Sequence, residues 1–145
     1  MRMHETFFGK KYKKVLDQFR LDPIYNAELD FNYCTVFQNS YMRLAVVYQR
    51  GWGEWYLPAT NHAPLDIKSI LQRESGWCLH SEYIDLTDPE YVAFRKKHAA
   101  SDRIPKEKQD EFNSQLIRRI CEAVLEDKIK LGQPRFKLEE YSEYK

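Results

Sequence analysis

Between residues 29 and 57, apolar side chains recur at every second position, interrupted only by short turn-forming runs. Leu29, Phe31, Tyr33, Thr35 and Phe37 alternate with Asp30, Asn32, Cys34 and Val36. That period of two predicts a strand with one clearly apolar face. Asn39-Ser40 predicts a turn. Met42, Leu44, Val46 and Tyr48 then alternate with Tyr41, Arg43, Ala45 and Val47, a second strand apolar and β-branched enough to lie centrally. Gly51 and Gly53 supply the positive φ angles of a short hairpin. A third strand follows over roughly Glu54 to Leu57 and stops before Pro58. Strands joined by links this short pair with their neighbours in sequence, so the chain is expected to build an antiparallel meander.

Helices are expected on either side of it. Tyr12, Val15, Leu16 and Phe19 recur at helical spacing over residues 10–20, with lysines on the other face and Pro23 as terminator. The run APLDIKSILQRESG places Ile67, Ile70 and Leu71 on one helical side, with Gly76 as a stop. WCLHSEYIDL alternates well enough to predict a fourth strand. LTDPEYVAFRKK opens with Thr87 or Asp88 as a helix cap and Pro89 at the first helical position. The longest element is predicted from about Pro105 to Leu131. There Phe112, Leu116, Ile117, Ile120, Cys121, Val124 and Leu125 form one stripe, closed by Gly132 and Pro134. A helix of that length would reach roughly 40 Å. Laid across a meander, it gives a two-layer α+β domain of three to four strands.

At 145 residues the chain fits one domain, 1–145, with a loose polar tail over 133–145. Its size permits burial of about two-thirds of the unfolded surface, and 43% hydrophobic residues supply the core. No apolar run approaches the roughly 18 residues of a membrane span. The first residues, MRMHETFFGKKYKK, carry no apolar signal core, so a cytoplasmic location is expected. Cys34, Cys78 and Cys121 are odd in number and widely spaced, which favours free thiols. The charge is segregated. Residues 1–20 hold six basic and two acidic side chains, 21–94 hold four and ten, 95–136 eleven and seven, and 137–145 two and three. An acidic middle between basic ends is either solvated faces in balance or a surface for a basic partner.

Specific chemistry is sparse. In QRGWGEWYL, Arg50-Gly51-Trp52-Gly53 matches the first half of an RNA-recognition strand motif. Glu54 then stands where a stacking ring belongs, and Leu57 replaces the last aromatic. A carboxylate there removes a platform and repels phosphate. Three consecutive strands also break the order of that module, which needs a helix between its first two strands. His62, Cys78, His80 and His98 lack the paired short spacings of a zinc site, so no metal or cofactor is expected. The chain has no GxSxG, no phosphate-binding glycine loop and no HExxH. His80, Glu82 and Asp85 lie close enough in sequence for acid–base work, but one local cluster without a nucleophile or metal is a weak signal, and a solvated strand edge is the favoured account. The long C-terminal stripe lacks sustained heptads, so a monomer or weak homodimer is expected.

A partner-binding surface remains. On the third strand Trp52, Glu54 and Tyr56 share one face, and Trp55 and Leu57 the other. With Trp55 and Leu57 in the core, Trp52 and Tyr56 would flank an acid at an exposed edge, where Trp and Tyr are favoured hot-spot residues. Trp52 could equally fold back over the hairpin. The segment 25–57, with an F-x-N strand (Phe37, Asn39) before an L-x-V-x-Y-x-R strand (Leu44, Val46, Tyr48, Arg50), resembles the immunity proteins of bacterial polymorphic toxin and contact-dependent inhibition systems. That resemblance implies a non-enzymatic protein that binds a cognate toxin domain, such as a nuclease with a basic cleft, and blocks its active site. The partner-binding residues it implies here are Asp30, Trp52, Glu54, Tyr56, Glu82 and Asp85. Two other classes stay open. One is a nucleic-acid binder using Lys10, Lys11, Lys13, Lys14, Arg95, Lys96 and Lys97. The other is a small enzyme built around His80, Glu82 or a cysteine.

Overall fold

The computed structural model describes residues 7–49, 53–83, 89–98 and 106–135. Its centre is a four-stranded antiparallel sheet, β1 (Asp22–Leu29), β2 (Asn32–Gln38), β3 (Arg43–Gln49) and β4 (Gly53–Ala59), in that spatial order. The helices are α1 (Phe7–Lys11), α2 (Lys13–Gln18), α3 (Ile67–Gln72), α4 (Pro89–His98) and α5 (Lys106–Leu125). This is the expected α+β meander with a long C-terminal helix.

The strand count was anticipated, but not its membership. The alternation from Leu29 to Phe37 conceals a hairpin. Asp30 and Phe31 both take positive φ, 51° and 65°, as the two central residues of a type I′ turn must. Leu29 then pairs with Asn32. Upstream, the first helix ends before Pro23. It breaks at Tyr12 into α1 and α2, and Arg20 turns the chain with φ 55°. Pro23 lies instead in β1, an edge strand, beside a register shift between Pro23 and Tyr25, where a missing N–H is tolerated. Pro58 is accommodated for the same reason in β4, the opposite edge.

The expected fourth strand over 77–86 does not form in its described part. The Leu79 N–H donates to the Glu82 carboxylate at 3.0 Å, and His80–Glu82 closes into a short 3-10 helix. A side chain that captures a nearby backbone donor competes with sheet pairing in this way. The α3 helix is shorter than expected. Asp66 caps its start by accepting from the Ser69 N–H, and Arg73, left-handed at φ 56°, ends it before Gly76. Helix α4 begins at Pro89 as anticipated; its proposed caps Thr87 and Asp88 lie outside the described residues. Twenty residues give α5 a length of about 30 Å. Past Leu125 the chain folds back, with Lys128 N–H donating to Ala123 O at 2.8 Å and Ile129 buried.

The sheet is covered on both faces, not the single face of a two-layer arrangement. On one face, Phe37, Met42, Leu44, Val46 and Tyr56 pack with Phe8, Tyr12, Val15 and Leu16 of the first helices and with Phe112, Leu116, Ile117 and Ile120 of α5. On the other, Cys34, Val36, Ala45, Val47 and Leu57 pack with Ile70 and a fully buried Trp77, whose Nε1–H donates to Pro64 O at 2.8 Å. β2 and β3 therefore run through four successive buried residues each, Cys34–Phe37 and Leu44–Val47. No helix among the described residues is long and apolar enough to cross a membrane.

Candidate functional site

A meander sends alternate turns to opposite ends of the sheet. The β1–β2 turn and the β3–β4 connection consequently share one end, where Leu29, Asn32, Gln49 and Gly53 pair in a row. The next row inward on the helix-covered face is Glu28, Tyr33, Tyr48 and Glu54, one residue from each strand. Tyr33 and Tyr48 face each other with ring centroids 6.4 Å apart, close enough for an aromatic cross-strand contact.

The helix layer meets this row at Glu54 and leaves its two tyrosines open. Tyr33 is 44% exposed and Tyr48 39%, and the turn residue Phe31 is 62% exposed. Phe7, at the start of α1, is 68% exposed and lies 5.1 Å from the Lys11 ammonium over its ring. These four make up most of the six large apolar or aromatic side chains exposed among the described residues. Glu28 and Asp30 are exposed beside them. Phe31 adds backbone strain, because a bulky residue in the left-handed region costs about 1–2 kcal/mol relative to an ordinary conformation.

Glu54 ends the row on β4. Its carboxylate accepts from Lys11 Nζ at 2.5 Å, from Tyr56 Oη at 2.9 Å and from Tyr12 Oη. Lys11 also pairs with Asp110 at 3.0 Å, and Asn113 donates to Tyr12 Oη at 3.2 Å. Burial would lower the Lys11 ammonium, but its bonds to Glu54 and Asp110 outweigh that and hold it above its usual value. Burial, reinforced by Glu54, pushes the Tyr12 hydroxyl up. Burial and the neighbouring Tyr12 and Glu54 do the same to Tyr56. Both phenols thus stay protonated and remain donors. A buried carboxylate with this many donors ties α1 and α5 to β4 at the closed end of the row.

The expected partner-binding residues separate accordingly. Asp30 is exposed at the aromatic end. Glu54 and Tyr56 do share a face, but that face is core: Tyr56 is buried and the Glu54 side chain is 8% exposed. Their expected outward orientation is corrected, because helices cover this face at β4 while α3 and Trp77 cover the other. Glu82 also turns inward, bonding Leu79 N–H and lying 3.9 Å from Arg73. Trp52 and Asp85 lie outside the described residues. Sequence reasoning passed over Tyr33 and Tyr48 by reading them as core. The available signal was their position at the strand ends nearest the shared turns, beyond reach of a covering helix.

The residues of the other two classes are dispersed. His80 packs edge-on against Tyr56, with ring centroids 6.1 Å apart. Burial lowers its pKa to about 4, offset in part by a bond to the Tyr56 backbone, so the ring is neutral at physiological pH. It lines a cleft of about 520 Å³ against the C-terminal half of α5. Its sequence neighbour Glu82 is committed elsewhere. Burial pushes the Cys34 and Cys121 thiols up to about 12 and raises Cys78, keeping all three protonated. Of the basic set, Lys11 is turned into the Glu54 network, whereas Lys10, Lys13 and Lys14 are exposed. No group of three or more metal-ligating side chains occurs among the described residues. No protein-family model matches the chain, and neither curated proteins nor solved structures show a significant similarity to it.

Proposed function

We propose that the chain is a protein-binding module of the immunity type, which neutralises a cognate toxin domain by docking the aromatic end of its sheet onto a basic face of that toxin. The observation that carries this reading is the collection of Phe7, Phe31, Tyr33 and Tyr48 at one end, with Glu28 and Asp30 beside them. Tyrosines flanked by acids suit a partner arginine, which stacks on the ring while pairing with the carboxylate. The strained Phe31 fits the same reading, since left-handed bulky residues persist where a conformation serves a function. The network around Glu54 holds the row in place without competing for the partner's charge.

Purification of the chain from its native host tests this. A toxin fragment at roughly equal stoichiometry is expected, and the double change Tyr33→Ala, Tyr48→Ala should weaken its binding at least about tenfold, or about 1.4 kcal/mol. A toxin complex whose affinity ignores both tyrosines would move the interface elsewhere. Recovery with no toxin would remove the immunity reading.

A further inference from the structure

We propose that the outer edge of β1 receives an extended, basic segment of the partner protein as a fifth strand. This extends the protein-binding reading above. β1 is eight residues long and none of them is fully buried, with Asn26 and Glu28 exposed in mid-strand. An edge strand presents a row of unpaired N–H and C=O groups to any extended chain. Among the described residues, no strand pairs with that edge. Helix α3 meets β1 through a side chain, the Tyr25 hydroxyl accepting from the Ile67 N–H at 3.0 Å.

The two edges of the sheet are guarded differently. On β4, Pro58 lacks a donor, and its carbonyl is occupied by the Tyr83 hydroxyl at 3.2 Å. On β1 the comparable devices, Pro23 and the register shift before Tyr25, protect the Asp22 end alone. From Tyr25 to Leu29 the pairing with β2 is regular. The charge then selects the occupant. Residues 21–42 contain Asp22, Glu28 and Asp30 and no lysine or arginine. A second copy of β1 would bring acids towards acids, whereas a basic strand can place Lys or Arg opposite Glu28. Glu28 begins the row that continues through Tyr33 and Tyr48. A partner resting on the tyrosines therefore reaches this edge without a break.

The test pans a displayed library of random peptides, each about ten residues long, a length that spans a typical strand, against the full chain. Enriched peptides are then followed by amide hydrogen exchange. Peptides with Lys or Arg at alternate positions are expected to win, to slow exchange within residues 25–29, and to bind Glu28→Lys at least about tenfold more weakly. No enrichment, enrichment without a basic pattern, or protection confined to other segments overturns the proposal. So does concentration-dependent protection of β1 in the protein alone, which would make a second copy the occupant. The immunity reading fails separately: a co-purified toxin that leaves residues 25–29 unprotected removes the edge strand and keeps the toxin. Basic peptides on β1 without any toxin do the reverse.

Discussion

Phe37 and Tyr33 stand on one strand and one face, as do Leu44 and Tyr48 on the next. Phe37 and Leu44 are sealed beneath α1, α2 and α5, while Tyr33 and Tyr48 are open. The same alternation generates both pairs. The difference lies in how far along the strands the helix layer extends, which makes one end of the sheet core and the other surface. Between them, the Glu54 network and the buried row Thr35, Val46 and Tyr56 mark the boundary.

The largest effect should come from truncating each end in turn. Leu44→Ala is expected to lower unfolding free energy by about 2–5 kcal/mol, since the residue is wholly buried and leaves a cavity. Tyr48→Ala, on the same strand and face, should cost about 1 kcal/mol or less. Urea denaturation of the two variants measures both, and equal losses would erase the distinction between the ends.

A second test probes the boundary through His80, which packs on Tyr56. With a folded pKa of about 4 against an ordinary 6.5, the folded chain binds fewer protons at this ring than the unfolded chain across that window. Stability is therefore complete above about pH 6.5 and falls as the pH drops towards 4, by up to about 3 kcal/mol. The replacement His80→Phe should flatten this limb of the stability–pH curve. An unchanged limb would place the ring in contact with water.

The smallest effect belongs to the open end itself. Phe31→Gly relieves a left-handed backbone and should raise stability by about 0.5–1 kcal/mol while weakening partner binding. A loss of stability would mean that Phe31 serves packing at the tip, leaving Tyr33 and Tyr48 as the open end.

Much of this fold was legible in the sequence. The period of two in β3, the hairpin glycine Gly53 with its φ of 90°, the proline start of α4 and the stripe of α5 all carry local signatures. The Leu29–Phe37 run was misleading because a two-residue turn leaves the alternation unbroken. Asp30 and Phe31 are also not the Asn-Gly or Asp-Gly pair that normally announces such a turn. WCLHSEYIDL was misleading because a single carboxylate, Glu82, bends the chain by capturing a neighbouring amide.

The site divides along the same line. The sequence by itself determined that β4 presents Glu54 and Tyr56 on one side and Trp55 and Leu57 on the other, because side-chain parity is fixed by backbone geometry. It also determined that acids gather in the middle of the chain, whereas the turn at Asp30 and Phe31 became visible only in the fold. Which side faces water was decided by tertiary structure alone. Helices from the two ends of the chain converge on one face, and α3 with Trp77 closes the other. Glu54 is consequently an internal anchor, while Tyr33 and Tyr48 become the exposed row. Burial depends on what packs opposite a residue, and that partner lies as far away in sequence as Asn113 does from Tyr12.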